Sequence, residues 1–414
     1  MSAKSIFSYT IILLLIFNIS AATLFSNEFF LFGLGLILLS YQLFIAQKPL
    51  DNKLIGFVLI FILINEASYY INGPVYQQIS IFKFAINLLI LPYLTLKIIG
   101  KSFWIKFEKL VFILTAISIP IFLLSLLLPG LFLSLGNIFR PLTNNIFYSS
   151  DTNRTYWSSL IFVFNPGQWQ INRNSGFMWE PGAFAMMINW AIIYNYFSSR
   201  MKFNRKIIIY IIALFSTFST AGYLAFFVFL IGTVIKSSSI KYQIPLLIVV
   251  VFFAIYLSNL DFIGDKLDIY VSQYQENEVV DNAYLKPKLN RLQIFFYEIE
   301  QTLKYPFGFG NETDFKFIGD NGLSKILVMW GIPVFLYLLY LLKKYLDFID
   351  ISNEKKISLI FFVLSLLIPF FSNPIGKNVF FYFIVLTPVA FEKSLIKKRQ
   401  LQIKKYLLKY GKET

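Results

Sequence analysis

The chain has 414 residues, of which 57% are hydrophobic, 19% aromatic and only 14% charged. A mean hydropathy of +0.65 over this length excludes an ordinary soluble globule and points to a polytopic membrane protein. The net charge of +15 does not indicate nucleic acid, because the basic residues lie between apolar runs, as the positive-inside rule expects. Cysteine and histidine are both missing. Disulfides, thiolate chemistry and an imidazole base are therefore excluded, and proton transfer falls to a carboxylate, Lys, Tyr or the substrate.

The apolar runs do not alternate with period two, so a β-barrel is not expected. Runs near 6–25, 29–46, 54–70, 79–99 and 110–128 read as membrane helices, with Lys48, Lys53 and the 101–109 cluster on the cytoplasmic side. Glu66 and Lys83 are rare charges inside the third and fourth runs, and a structural pair between them is expected. The fifth run leads to an outer loop over 133–176. The motif helix, 177–197, returns to Arg200, Lys202, Arg205 and Lys206. Residues 207–235 are basic at both ends and interrupted by Ser216-Thr217-Phe218-Ser219-Thr220-Ala221-Gly222, which predicts two short helices meeting near the outer face. A further run, 242–257, precedes a second outer loop over 259–321, and runs at 323–342, 357–371 and 379–391 lead to a basic tail, 392–414. The expectation is an all-α, single integral membrane domain of about twelve spans, with both termini in the cytoplasm.

The stretch from Asn172 to Ala185 organises the rest. Pro181 suits the first helical position, with Glu180 as cap, and the start of that helix suits an anion such as a diphosphate. Arg173, one short loop away, can grip the same anion through its planar fork. Gly182, Ala183 and Ala185 permit close approach of another backbone or of a substrate. The alternative is an interfacial anchor with Trp179 in the aromatic belt. Trp157, Trp169 and Trp179 crowd the first outer loop, and their flat faces suit sugar rings as well as they suit an interface.

In the second outer loop, Arg291 opens an amphipathic helix whose Leu292, Phe295, Phe296, Ile299 and Leu303 follow helical spacing; it is expected to lie on the membrane surface. Tyr305-Pro306-Phe307-Gly308 stops it, and Asp320-Asn321-Gly322 precedes the next span. The acidic residues from Asp261 to Asp281 match no compact ligand set, so no metal site is expected.

Three blocks, in order, resemble the O-antigen ligase and polymerase family of bacterial envelope glycosyltransferases. Arg173-Asn174-Ser175-Gly176-Phe177 through Glu180-Pro181-Gly182-Ala183-Phe184-Ala185 is similar to that family's Arg-x-x-Gly-Phe-x-x-Glu-Pro block. Phe218-Ser219-Thr220-Ala221-Gly222-Tyr223 is similar to its middle block. Arg291, Tyr305-Pro306-Phe307-Gly308-Phe309-Gly310, Asp320-Asn321-Gly322 and Gly331-Ile332 resemble the long outer loop and its exit helix. Two departures stand out: Ala221 occupies a position that is basic in many members, and Asp320-Asn321 lies where ligases carry a histidine. The second favours polymerase over ligase.

The resemblance implies an enzyme of the bacterial cytoplasmic membrane working at its outer face without a cofactor. Its expected partners are polyprenyl-diphosphate-linked oligosaccharides as donor and acceptor, membrane lipid and a chain-length regulator, with no nucleic acid. Arg173 and Arg291 would hold the diphosphate, and Glu180 or Asp320 would take the acceptor proton. A ligase and a lipid-linked oligosaccharide flippase are the alternatives. A flippase predicts pseudo-symmetric halves and polar residues deep in many spans, whereas the suggestive groups here gather at one face.

Overall fold

A computed structural model describes residues 2–20, 28–72, 78–139, 157–159, 161–164, 172–199, 201–236, 291–308, 322–349, 356–371 and 379–392, with single positions at 244, 248 and 251. Asp320, Trp169, most of both outer loops and the basic tail lie outside these residues.

The described chain is almost entirely helical. Helices α1 (Ala3–Ile19), α2 (Glu28–Ser40), α3 (Asn52–Asn72), α4 (Gln78–Ala85), α5 (Leu91–Ile99), α6 (Phe103–Leu127) and α7 (Pro129–Phe139) come first. A two-stranded antiparallel hairpin follows, β1 (Trp157–Ser159) with β2 (Phe162–Phe164), pairing Ser158 with Val163. Then come α8 (Pro181–Ser198), α9 (Arg205–Ser216), α10 (Thr220–Lys236), α11 (Arg291–Lys304), α12 (Gly322–Phe348), α13 (Lys356–Leu367) and α14 (Val379–Ala390). The hairpin and α7 both occupy the end of the molecule where only a loop was expected.

Among the described residues, Phe82–Leu127 and Ile326–Phe348 are long and apolar enough to cross a membrane, and several shorter apolar helices accompany them. The surface is correspondingly apolar: Phe44, Ile45 and Leu127 are each about three-quarters exposed.

Helix α8 is the axis of the packing. Every residue from Ala183 to Phe197 is buried, which is what a helix apolar all round requires. Helices α6, α9, α10 and α13 pack around it. It crosses α10 very closely: a Cβ built on Gly222 would lie 2.5 Å from the Ala185 Cβ, so only glycine fits there. Asn189, buried in mid-helix, donates to the carbonyls of Ala185 at 2.9 Å and Gly222 at 3.0 Å, tying the two helices at that crossing. Ala185 thus serves close helix packing, as expected.

The apolar run after Arg205 divides as its sequence predicts. Helix α9 ends at Ser216, α10 begins at Thr220, and Phe218 between them takes a left-handed φ of 45°. Twelve residues give α9 a length of about 18 Å, well short of a hydrocarbon core of about 30 Å.

Helix α12 is kinked where Gly331 adopts φ 74° and ψ 174°, two residues before Pro333. Proline cannot donate and crowds the preceding turn. The Ile332 amide turns outward instead and donates to the Pro306 carbonyl at 2.8 Å. That carbonyl belongs to the turn that closes α11, so the kink is also the docking point of the outer helix. Gly308 sits against it so tightly that a Cβ there would lie 2.6 Å from both the Gly331 amide nitrogen and the Met329 carbonyl oxygen.

Helix α11 faces the protein with its polar side. Glu298 and Thr302 are buried, whereas Phe296 and Leu303 are exposed. The Ser324 hydroxyl of α12 donates to the Glu298 carboxylate, and the Thr302 hydroxyl donates to the Glu298 carbonyl at 2.8 Å. The exposed side also carries Tyr297 and the Glu300–Lys304 ion pair, so it is mixed rather than apolar. Lys83 lies with its ammonium 5.2 Å from the Phe29 ring, and Glu66 is half-buried on α3.

Candidate active site at the start of α8

The helix begins at Pro181 with Glu180 at the N-cap, in extended conformation (φ −147°, ψ 157°). Proline fits because its fixed φ is helical and its missing N–H has no use in the first turn. Glu180 is thus the N-cap by backbone, as expected, but its side chain makes no capping hydrogen bond. Its carbonyl accepts from the Phe184 amide at 3.1 Å. The amides of Gly182 and Ala183 lie in the first turn, where no carbonyl stands one turn back to receive them.

The loop before the helix is folded tightly on itself. Gly176 has φ 52°, and a Cβ there would lie 2.6 Å from the Phe184 ring. The Asn174 side-chain carbonyl accepts from the Gly176 amide at 2.8 Å, closing an Asx turn. Phe177 meets Phe184 edge-on at 5.3 Å. The hairpin closes over the loop through the Val163 amide, which donates to the Gly176 carbonyl at 2.8 Å.

This loop is bolted to the turn between α9 and α10. Arg173 Nε donates to the Thr217 carbonyl at 3.0 Å, and Arg173 Nη2 donates to the Phe218 carbonyl at 2.6 Å. The Asn174 amide donates to the Ser216 carbonyl at 2.9 Å, and Asn174 Nδ2 reaches Ser216 Oγ at the same distance. The carbonyls that end α9 carry the negative end of its dipole, and a guanidinium is a suitable partner for them. Arg173 itself is half-buried, in the loop that leads into α8.

Next to Arg173 is a cavity of about 20 Å³, lined by Ser118, Ser125, Asn174, Phe132 and Phe162 among others. That is room for a water molecule, not for a sugar. A glycan must lie outside it. Trp179 is half-buried and packed against the core, which commits one face of its ring to structure. Trp157 lies in β1, the strand that pairs with the one closing over the motif loop.

Compared with known proteins, the chain matches no family model, no curated protein and no solved structure. The site is therefore read from its own geometry.

The structure brings Arg173, Trp179 and Glu180 into one short segment and joins to it the middle block that the sequence singled out separately. Arg291 stands at the first position of α11. Asp320 and Trp169 fall outside the described residues. Sequence reasoning missed two groups. Ser216 and the Thr217 and Phe218 carbonyls are the receptors of the Arg173–Asn174 pair, and Glu298 is a carboxylate buried beneath the outer helix. Backbone carbonyls leave no mark in a sequence. Glu298 did leave one: it lies among the helically spaced apolar residues of α11, on the side away from Phe296. Among the described residues, no cluster of acidic side chains that could hold a metal occurs.

Proposed function

We propose that the protein is an integral membrane glycosyltransferase of about twelve spans, a polymerase that transfers a lipid-diphosphate-linked glycan to another lipid-linked repeat unit at the outer face of the bacterial cytoplasmic membrane. The observation that carries this reading is the Arg173 fork on the Thr217 and Phe218 carbonyls. It joins two of the three family-like blocks at a helix start, where an anionic leaving group would be received.

In the reaction, a hydroxyl of the acceptor sugar attacks the anomeric carbon of the donor. The bond from that carbon to the diphosphate oxygen breaks, and the electron pair leaves with the lipid diphosphate. Stabilising that charge is the main task, since the leaving group is already good. The Arg173 guanidinium and the first-turn amides of α8 supply positive potential at one place, and Arg291 supplies it from α11. Glu180, half-buried at the N-cap of α8, is the proton acceptor assigned here. Asp320 is the second candidate.

Purified protein in vesicles, given lipid-linked repeat units, should produce a ladder of glycans, and the ladder should persist in EDTA. Addition of a single unit to a lipid acceptor instead would identify a ligase. No transfer, with movement of the lipid-linked unit across the bilayer, would identify a flippase. Glu180→Gln should lose at least about a hundredfold in turnover if Glu180 takes the proton; unchanged turnover would pass that role to Asp320.

A further inference from the structure

The lysines at the basic end of the bundle fall into two groups. Lys53, Lys97 and Lys206 each stand against a carboxylate, that of Glu392, Asp51 and Glu108 respectively. Lys4, Lys106 and Lys109 do not: among the described residues, no carboxylate lies within ion-pair distance of any of them. They meet one another instead, where α1 packs on α6. The ammoniums of Lys106 and Lys109 lie 5.6 and 5.8 Å from the centre of the Tyr9 ring, and Lys4 is close enough to Lys106 to act on it as a like charge. Glu108, between the two α6 lysines in sequence, is buried and held by Lys206. The first turn of α1 carries no acidic residue, so the positive end of that helix adds to the same potential. The positive-inside rule accounts for lysines at this end. It does not account for three that gather on one ring while their neighbours are neutralised.

We propose that Lys4, Lys106 and Lys109 form a site for the headgroup of an anionic phospholipid, an inference that rests on the membrane placement in the reading above and not on its chemistry. The surface that continues from the cluster selects a lipid over a free phosphate. Lys106, Lys109, Ile113 and Ile117 follow one another at three- and four-residue steps, so they share one stripe of α6. Ile113 and Ile117 are exposed. The stripe thus begins with cations and runs on as hydrocarbon, in a helix that belongs to the Phe82–Leu127 segment, long and apolar enough to cross a membrane. From Lys109 to Ile117 it rises about 12 Å, within the depth of one hydrocarbon leaflet, about 15 Å. The ammoniums therefore stand where a lipid seated on the stripe carries its phosphate. A zwitterionic headgroup would bring its own ammonium to a place that already holds three. An anionic one gains about a factor of five for each lysine, or about a hundredfold for the three together.

The test uses the full chain in phosphatidylethanolamine vesicles, with a photoreactive benzophenone side chain in place of Ile113. The probes are trace radiolabelled phosphatidylglycerol and, separately, radiolabelled phosphatidylethanolamine of identical acyl chains. Illumination should attach phosphatidylglycerol in preference to phosphatidylethanolamine. Lys106→Gln together with Lys109→Gln should cut that preference about tenfold or more, since two charges are removed at about fivefold each. Lys106→Arg together with Lys109→Arg keeps the charges and should keep the preference. Lys53→Gln, which removes a lysine that has its own carboxylate, should leave it unchanged. Inorganic phosphate at constant ionic strength should not displace the lipid label. Equal labelling by the two lipids, loss of the preference in the arginine variant or in Lys53→Gln, or displacement by inorganic phosphate would overturn the proposal. Protein that shows the preference but builds no glycan would overturn the polymerase reading and keep this site; glycan ladders without the preference would do the reverse.

Discussion

The two ends of α8 are both stapled to α9, by opposite electrostatic means. At the Ser198 end, the buried Glu108 carboxylate of α6 accepts from Lys206 Nζ at 2.8 and 3.1 Å, from Asn195 Nδ2 at 3.0 Å and from the Tyr210 hydroxyl at 3.3 Å. Asn204 caps α9 there and also donates to Asn195 at 2.8 Å. A carboxylate held by an ammonium and two neutral donors has spent its charge on structure. At the Pro181 end, a guanidinium donates to the Thr217 and Phe218 carbonyls. The contrast is one of receptor: a buried carboxylate gathers the donors at one end, and main-chain carbonyls receive a cation at the other, in the loop where the ligand is proposed to bind.

That contrast can be broken by substitution. The largest expected effect is Arg173→Lys. A lysine cannot hold two successive carbonyls and present a planar charge at once, so transfer should fall about a hundredfold or more, with insertion and yield retained. Near-normal glycan ladders from this variant would reduce Arg173 to a second clamp. Lys206→Met should do the opposite. It leaves the Glu108 charge buried with neutral donors, at a cost of about 3 kcal/mol, read as a lower unfolding temperature in detergent. Turnover per folded molecule should stay at the wild-type level, and a specific loss of turnover would join the two ends functionally.

Asn174→Ala sharpens the comparison from the middle. It removes the side-chain bonds to Ser216 Oγ and to the Gly176 amide, while the main-chain bond to the Ser216 carbonyl stays, a loss of about 1–2 kcal/mol. Because the same side chain shapes the loop that carries Arg173, transfer should drop by more than the stability loss explains.

The smallest effect belongs to Asp51, just before the first residue of α3. Burial alone would raise its pKa, but the Tyr93 hydroxyl at 2.7 Å, the Lys53 amide and Lys97 together hold it below its ordinary value. A depressed carboxylate stabilises the fold above its unfolded pKa, and that contribution disappears as pH falls through the folded one. Asp51→Asn should therefore lower stability at neutral pH, by less than about 1 kcal/mol since the group is partly solvated, and the difference from wild type should begin to shrink below about pH 4 and vanish once pH has fallen through the depressed folded pKa. A difference that persists in acid would exclude Asp51 as its source.

The elements with local causes were legible in the sequence. Pro181 sets the start of α8, the Ser216–Ser219 cluster divides α9 from α10, and Gly182 to Ala185 announce a close helix crossing. What was not legible is whatever depends on a partner far along the chain. Nothing in Arg173 states that its fork ends on carbonyls of a turn more than forty residues away. Glu108 and Lys206 read as two cytoplasmic charges, and their pairing through Asn195 and Tyr210 exists only once α6, α8 and α9 are packed. Helical periodicity likewise fixed which residues of α11 share a side, but not that Glu298 would be the side turned inward.

The meeting of Gly308 with Gly331 has a consequence for how such a chain can drift. A side chain on Gly308 would need the room held by the main chain of Met329 to Gly331, and one on Gly331 the room held by that of Pro306 and Phe307, so what stands in the way is backbone rather than a side chain that could shrink. A larger residue at either position therefore has no compensating side-chain change opposite it. Both also sit in the left-handed region, where a Cβ carries its own penalty. A mutational walk through this junction therefore has no neutral detour. The contact between α11 and the kink of α12 can be lost in one step, and regained only by reverting that step.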